Sequence, residues 1–252
     1  MGTVIACAGK GGVGKTTVSA LIIRQLIRAG DTPILAVDAD PNSNLGETLG
    51  LDVTATIGDI REDFMRDPQS VPSGMDKTIY LESLVEQSLI EHENFDLLVM
   101  GRQEGQGCYC MVNNILNSFT ERLAESYRHM VVDNEAGMEH LSRRTSGRVD
   151  MLYLITDYSL RGLRALARIN EMLPGLKLTV KECGIIVTRA PEELSDAFSA
   201  EVEQIGLPIV ATIPHDPTLL DFDMEKRSLL ELPDTSASVV AIEQLMSAPL
   251  SA

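Results

Sequence analysis

Gly9, Gly14, Lys15 and Thr16 fill the pattern G-x-x-x-x-G-K-[ST]. Glycines at this spacing let backbone N–H groups turn inward on an anion, and a following helix aims its positive end at the same point. Gly11, Gly12, Val13 and Thr17 complete the loop. The Lys15 ammonium suits the outer phosphates of a nucleotide, and the Thr16 hydroxyl suits Mg²⁺. Two further clusters carry carboxylates. Asp38 and Asp40 stand in Asp38-Ala39-Asp40-Pro41-Asn42-Ser43-Asn44, at the end of an apolar run, where they suit metal and water positioning. A capping role for Asp40, Asn42 or Ser43 at the helix that follows is the competing reading, and it suits Ser43 best. Met130-Val131-Val132-Asp133 is an apolar run closed by a carboxylate, the pattern that holds a water on Mg²⁺.

A third kind of chemistry lies in Gly101-Arg102-Gln103-Glu104-Gly105-Gln106-Gly107-Cys108-Tyr109-Cys110. Cys108 and Cys110 would open a helix, whose N-terminus favours thiolates. Thiolates bind soft and borderline metals, and two of them half-fill a tetrahedral ion. Packed cysteines, a redox pair and a bridged [4Fe–4S] cluster are the other readings. Cys7 and Cys183 fall in apolar runs and read as core residues.

These residues need strands to carry them. Apolar runs at 3–8, 33–37, 95–100, 129–133, 151–155, 182–187 and 209–213 read as strands. Helical patterns at 15–29, 43–49, 56–66, 82–92, 111–126, 138–147, 160–173, 192–204 and 236–247 alternate with them. Near-continuous apolar strands between helices predict a mostly parallel, doubly wound α/β sheet of about seven or eight strands, covered on both faces. Such sheets collect ligands at the carboxyl ends of their strands. Residues 67–74 read as an exposed loop, and 1–252 as one domain.

Bulk properties narrow the partners. A net charge of −16 argues against nucleic acid. No stretch approaches eighteen apolar residues, and no signal peptide is expected before the first strand. The tail Leu245-Met246-Ser247-Ala248-Pro249-Leu250 is too short and uncharged for an amphipathic membrane anchor. Four cysteines are too few for a disulfide scaffold, consistent with reduced thiols and a cytoplasmic location.

Lys10 sharpens the reading. Lys10-Gly11-Gly12-Val13-Gly14-Lys15-Thr16 resembles the deviant Walker A loop of the family that contains nitrogenase iron protein, MinD, ParA and the arsenite and tail-anchor ATPases. The resemblance implies that Lys10 clamps the phosphates of the partner's nucleotide across a two-fold axis, so that hydrolysis needs a dimer. It implies that Asp40 orients the attacking water and that Asp38 and Asp133 support the Mg²⁺ shell. It makes Asp133-Asn134-Glu135-Ala136-Gly137 a second switch, with Gly137 as hinge and γ-phosphate donor and Glu135 and His140 in or beside it. Where the family usually places Asn at the base, this chain has Thr188-Arg189. Pro214-His215-Asp216 matches the segment that borders adenine, and no guanine-binding Asn-Lys-x-Asp is present, so ATP is expected. With Leu97-Leu98-Val99-Met100-Gly101-Arg102 and Gly107-Cys108-Tyr109-Cys110, the whole chain resembles the nickel-insertion ATPases that serve carbon monoxide dehydrogenase. That implies a homodimer binding ATP or ADP with Mg²⁺. It also implies Ni²⁺ (or Zn²⁺) on paired Cys108 and Cys110, and apo carbon monoxide dehydrogenase, or acetyl-CoA synthase, as client. An iron–sulfur reductase and a metal-free positioning ATPase are the alternatives.

Overall fold

The structure is a computed structural model, and it describes residues 2–102, 110–135, 147–176 and 178–247. Among these, strands β1 (Thr3–Gly9), β2 (Ile34–Ala39), β3 (Ile90–Glu91), β4 (Phe95–Val99), β5 (His129–Asn134), β6 (Arg148–Asp157), β7 (Thr179–Ala190) and β8 (Ile209–Pro214) form one sheet. Its order is β3-β4-β2-β5-β1-β6-β7-β8, parallel throughout except for β3 against β4. The expected doubly wound α/β sheet is therefore present.

Side chains alternate between two cores. Val4, Ala6 and Ala8 face one, and Ile5 and Cys7 the other. A one-residue slip would exchange the faces, so this alternation fixes the register. The first face packs helices α3 (Ile57–Arg66), α4 (Lys77–Ser88), α5 (Cys110–Ala124), α6 (Leu160–Met172) and α7 (Asp196–Ile205). The second packs α1 (Lys15–Arg28), α2 (Asn44–Thr48), α8 (Pro217–Met224) and α9 (Ala237–Ser247).

Helix ends account for the departures from the sequence reading. The helix expected at 82–92 begins at Lys77, because the Asp76 carboxylate accepts from Thr78 N–H at 2.7 Å and caps an earlier turn. Its expected tail is instead β3, paired with β4. Helix α8 was not anticipated, although Asp216-Pro217 is a start signal, a capping carboxylate before proline at the first helical position. The helix expected at 138–147 lies, apart from Gly147, outside the described residues.

Candidate functional site

The phosphate loop joins β1 to α1 at the centre of the sheet. Gly9 has φ 156°, and a Cβ there would stand 2.2 Å from the Ile155 carbonyl oxygen. Gly14 has φ 94°, a left-handed conformation that turns the chain into α1. Helices α3, α4, α6, α7 and α8 each begin under a side-chain cap, whereas α1 has none and no acidic residue in its first turn. Its first N–H groups thus remain available to an anion. Lys15 is 7% exposed, and its Nζ donates to the Lys10 carbonyl at 3.4 Å. Lys10, Gly11 and Gly12 form the exposed crest, while Val13 is buried beneath it.

Carboxylates meet the loop from the neighbouring strands. Thr16 Oγ1 donates to Asp133 Oδ2 at 2.6 Å, and Ser19 Oγ to Oδ1 at 3.4 Å. Burial lifts the Asp133 carboxyl to about 7. The Thr16 hydrogen bond and Lys15 pull it down, and Asp38 and Asp40 push it up. This clustering of negative charge beside a threonine hydroxyl is a donor set that suits Mg²⁺. Asp38 pairs in register with Asp133 and is fully buried. Its Oδ1 accepts from Asp40 N–H at 3.1 Å and its Oδ2 from Leu45 N–H at 2.8 Å. Asp38, and not Ser43, therefore satisfies the start of α2. Ser43 sits at φ 54° with no side-chain capping bond, because the left-handed turn carries its hydroxyl away. Asp40 Oδ1 accepts from both the backbone and the side-chain N–H of Asn42 at 2.9 Å, which closes the turn between β2 and α2.

The base-side residues expected from sequence line the same cleft of about 500 Å³: Thr188, Arg189, Pro214, His215 and Asp216, with Thr16 and Thr17. Two of them are already engaged. Thr188 Oγ1 donates to the Val13 carbonyl at 2.7 Å and lies 3.3 Å from the Thr156 carbonyl. Asp216 Oδ1 accepts from Thr218 N–H at 3.0 Å, while Oδ2 receives Ser238 N–H, Ser238 Oγ and Ser236 Oγ. Burial alone would raise the Asp216 carboxyl, but these bonds outweigh it and bring it to about 2. One carboxylate thereby joins the starts of α8 and α9. Arg189 is exposed at φ 52°.

The segment that leads to the cysteines is fastened at its start. Met100 N–H donates to the Asp38 carbonyl at 2.8 Å, and Gly58 N–H to the Met100 carbonyl at 3.0 Å. Arg61 Nη2 donates to the Arg102 carbonyl at 3.1 Å. Gly101, at φ 63°, lies where a Cβ would strike the Thr56 side chain. Cys108, Gly137 and His140 lie outside the described residues, and Cys110 opens α5. Among the described residues, no group of three or more His, Cys, Asp or Glu is placed to hold a metal. Cys7 is fully buried and Cys183 half-buried against the core, as their sequence contexts imply. Burial pushes their thiols up, to about 12 and about 11. No described helix is long and apolar enough to cross a membrane.

Sequence reasoning missed three parts of this site. Ser19 is a second hydroxyl on Asp133, one helical turn beyond Thr16. Asn44, Glu47 and Thr48 of α2 form one wall of the cleft, and Phe222, Lys226 and Arg227 form another. The α8 wall had a legible signal only in Asp216-Pro217.

Known proteins resemble the chain over nearly its full length. An uncharacterized ATP-binding protein of Methanocaldococcus jannaschii is 40% identical over 244 residues, 96% of each chain. The carbon monoxide dehydrogenase accessory protein CooC of Rhodospirillum rubrum is 31% identical over 243 residues, covering 90% of this chain and 89% of its own. The septum site-determining protein MinD of Pyrococcus horikoshii OT3, solved with Mg-ADP, shares the fold at a TM-score of 0.70. That match covers 97% of this chain and 94% of the other at 21% identity. Residues 4–229 match the model of the CobQ/CobB/MinD/ParA nucleotide binding domain, and the chain belongs to that family.

Proposed function

We propose that this ATPase of the MinD/ParA type is a metallochaperone that binds Ni²⁺ as cargo and assists its insertion into carbon monoxide dehydrogenase or acetyl-CoA synthase. The observation that carries the reading is the sequence motif Cys108-Tyr109-Cys110, whose last residue opens α5, in a chain 31% identical to CooC. The segment leaves the carboxyl end of β4, the same sheet edge as the phosphate loop. Two thiolates from each of two subunits would complete four sulfur ligands for one ion. The two-fold axis that lets Lys10 reach the partner's phosphates would also face the cysteine pairs toward each other. In this reading residues 1–252 act as one nucleotide-binding domain. Lys15 and the loop N–H groups hold ATP. Thr16, Asp38 and Asp133 serve Mg²⁺, Asp40 orients water, and Gly137 senses the γ-phosphate.

Metal stoichiometry per dimer, measured with and without ADP or ATP, tests the proposal. One Ni²⁺ or Zn²⁺ per dimer is expected, lost in Cys108→Ser and in Cys110→Ser while nucleotide binding persists. Metal and nucleotide should change each other's affinity by the same factor, because linkage is reciprocal. One ion per monomer, or unchanged nickel affinity in both variants, overturns the shared site. An anaerobically purified protein with a broad band near about 400 nm, from sulfur-to-iron charge transfer, would be a reductase instead.

A further inference from the structure

The wall of the cleft built from α8 and the turn after it carries a feature that phosphate chemistry does not require. The Arg227 guanidinium lies over the Phe222 ring, 3.9 Å from its centroid. Phe222 is 5% exposed and the Arg227 side chain 45% exposed, so the ring is the inner layer and the guanidinium the outer one. Both line the cleft with Gly14, Thr17 and Pro214. The N–H bonds of a guanidinium lie in its plane. Nη1 donates to Glu225 Oε2 at 3.4 Å, and Nη2 stands 3.6 Å from Glu231 Oε2. These contacts hold the edges of the plane and leave its outer face uncovered by them. A planar delocalised cation backed by an aromatic ring is a stacking surface for a nucleobase.

The alternative means of recognising a base, hydrogen bonds to its edge, is curtailed here. Thr188 spends its proton on the Val13 carbonyl, and both oxygens of Asp216 already accept hydrogen bonds from the starts of α8 and α9. We propose that Arg227, held on Phe222, is the platform on which the nucleotide base stacks. Selection is then for the ring area of a purine more than for its hydrogen-bonding edge. The inference rests on the ATPase reading of the cleft.

Calorimetric titration of the full-length protein with Mg-ATP, Mg-GTP, Mg-CTP and inorganic tripolyphosphate tests it. Tripolyphosphate keeps the phosphate chain and lacks the base. ATP and GTP should bind within about tenfold of each other, and CTP more weakly, since stacking tolerates any purine edge. Arg227→Ala should weaken ATP about tenfold to a hundredfold and leave tripolyphosphate unchanged. Arg227→Lys keeps the charge and loses the plane, so it should resemble the alanine variant. Equal loss of ATP and tripolyphosphate, rescued by lysine, would make Arg227 a phosphate ligand and overturn the proposal. So would unchanged ATP affinity in Arg227→Ala alongside a base-only loss in His215→Ala. GTP binding more than about a hundredfold weaker than ATP would overturn selection by ring area. A parent protein that binds no nucleotide sinks the ATPase reading together with this one. A parent that binds ATP, with an equally tight Arg227→Ala variant, sinks this inference alone.

Discussion

The two ends of the cleft are built from different materials. At the end proposed to take the phosphates, the groups offered to a ligand are mostly backbone N–H, from residues 9–17 and the uncapped start of α1. At the base end they are side chains, brought together from β7, the β8–α8 turn, α8 and the turn after it. A backbone site depends on conformations that only certain residues adopt, so its sequence pattern is short and contiguous. A side-chain site depends on packing between distant segments, and the same residue types can be diverted to structural work. Thr188 and Asp216 show this diversion: each lines the cleft, and each spends hydrogen bonds on holding the walls in place.

The largest effect that tests the contrast is at the phosphate end. Lys15→Ala should abolish measurable ATP binding. Lys15 is buried beside the loop it serves, and nothing else in the described loop offers an ammonium in that place. Lys10→Ala should keep ATP affinity and lose hydrolysis together with nucleotide-driven dimerisation, because Lys10 is exposed on the crest. Calorimetry combined with sedimentation separates the two. Equal loss of ATP affinity in both variants would put Lys10 on its own subunit's nucleotide and end the cross-subunit reading.

Asp40→Asn comes next in size. Turnover should fall by about a hundredfold or more, the scale for losing a positioned proton-accepting group, with ATP affinity near normal. The variant is informative because the amide oxygen can still accept the Asn42 N–H bonds that Asp40 Oδ1 now receives. The turn should therefore survive while the charge is lost. Near-normal hydrolysis would show that Asp40 only closes this turn, which is the work Asp38 does for α2.

The sheet was legible because buried parallel strands are near-continuous apolar runs, and each of the seven expected from sequence is present. The short antiparallel β3 gave no such run. The phosphate loop and the Asp133 strand end were legible from contiguous motifs. The capping partner of α2 was not, because Asp38 stands seven residues before Leu45 and reaches it only through the turn at Asp40-Pro41. Ser43 has the commoner capping residue type and the wrong backbone. The Arg227–Phe222 stack was equally hidden, since its two members belong together only once α8 has formed.

The smallest effect tests the base end most directly. Thr188→Val replaces a hydroxyl by a methyl of similar size, so packing near Gly14 should persist. The Val13 carbonyl then loses its donor at 2.7 Å inside a buried wall. An unsatisfied buried acceptor of this kind costs about 1–3 kcal/mol, which a thermal melt resolves as a shift of several degrees. The brace acts on the phosphate loop and not on the base. ATP and tripolyphosphate should therefore weaken by the same modest factor, about twofold to fivefold, as part of the broken hydrogen bond is felt at the loop. That pattern is the opposite of the one expected for Arg227→Ala, which should separate the two ligands. Thr188→Ser retains the donor and should restore both affinities. If Thr188→Val weakens ATP and spares tripolyphosphate, Thr188 reads the base, and the division of the cleft into a braced phosphate end and a stacking base end fails at that residue.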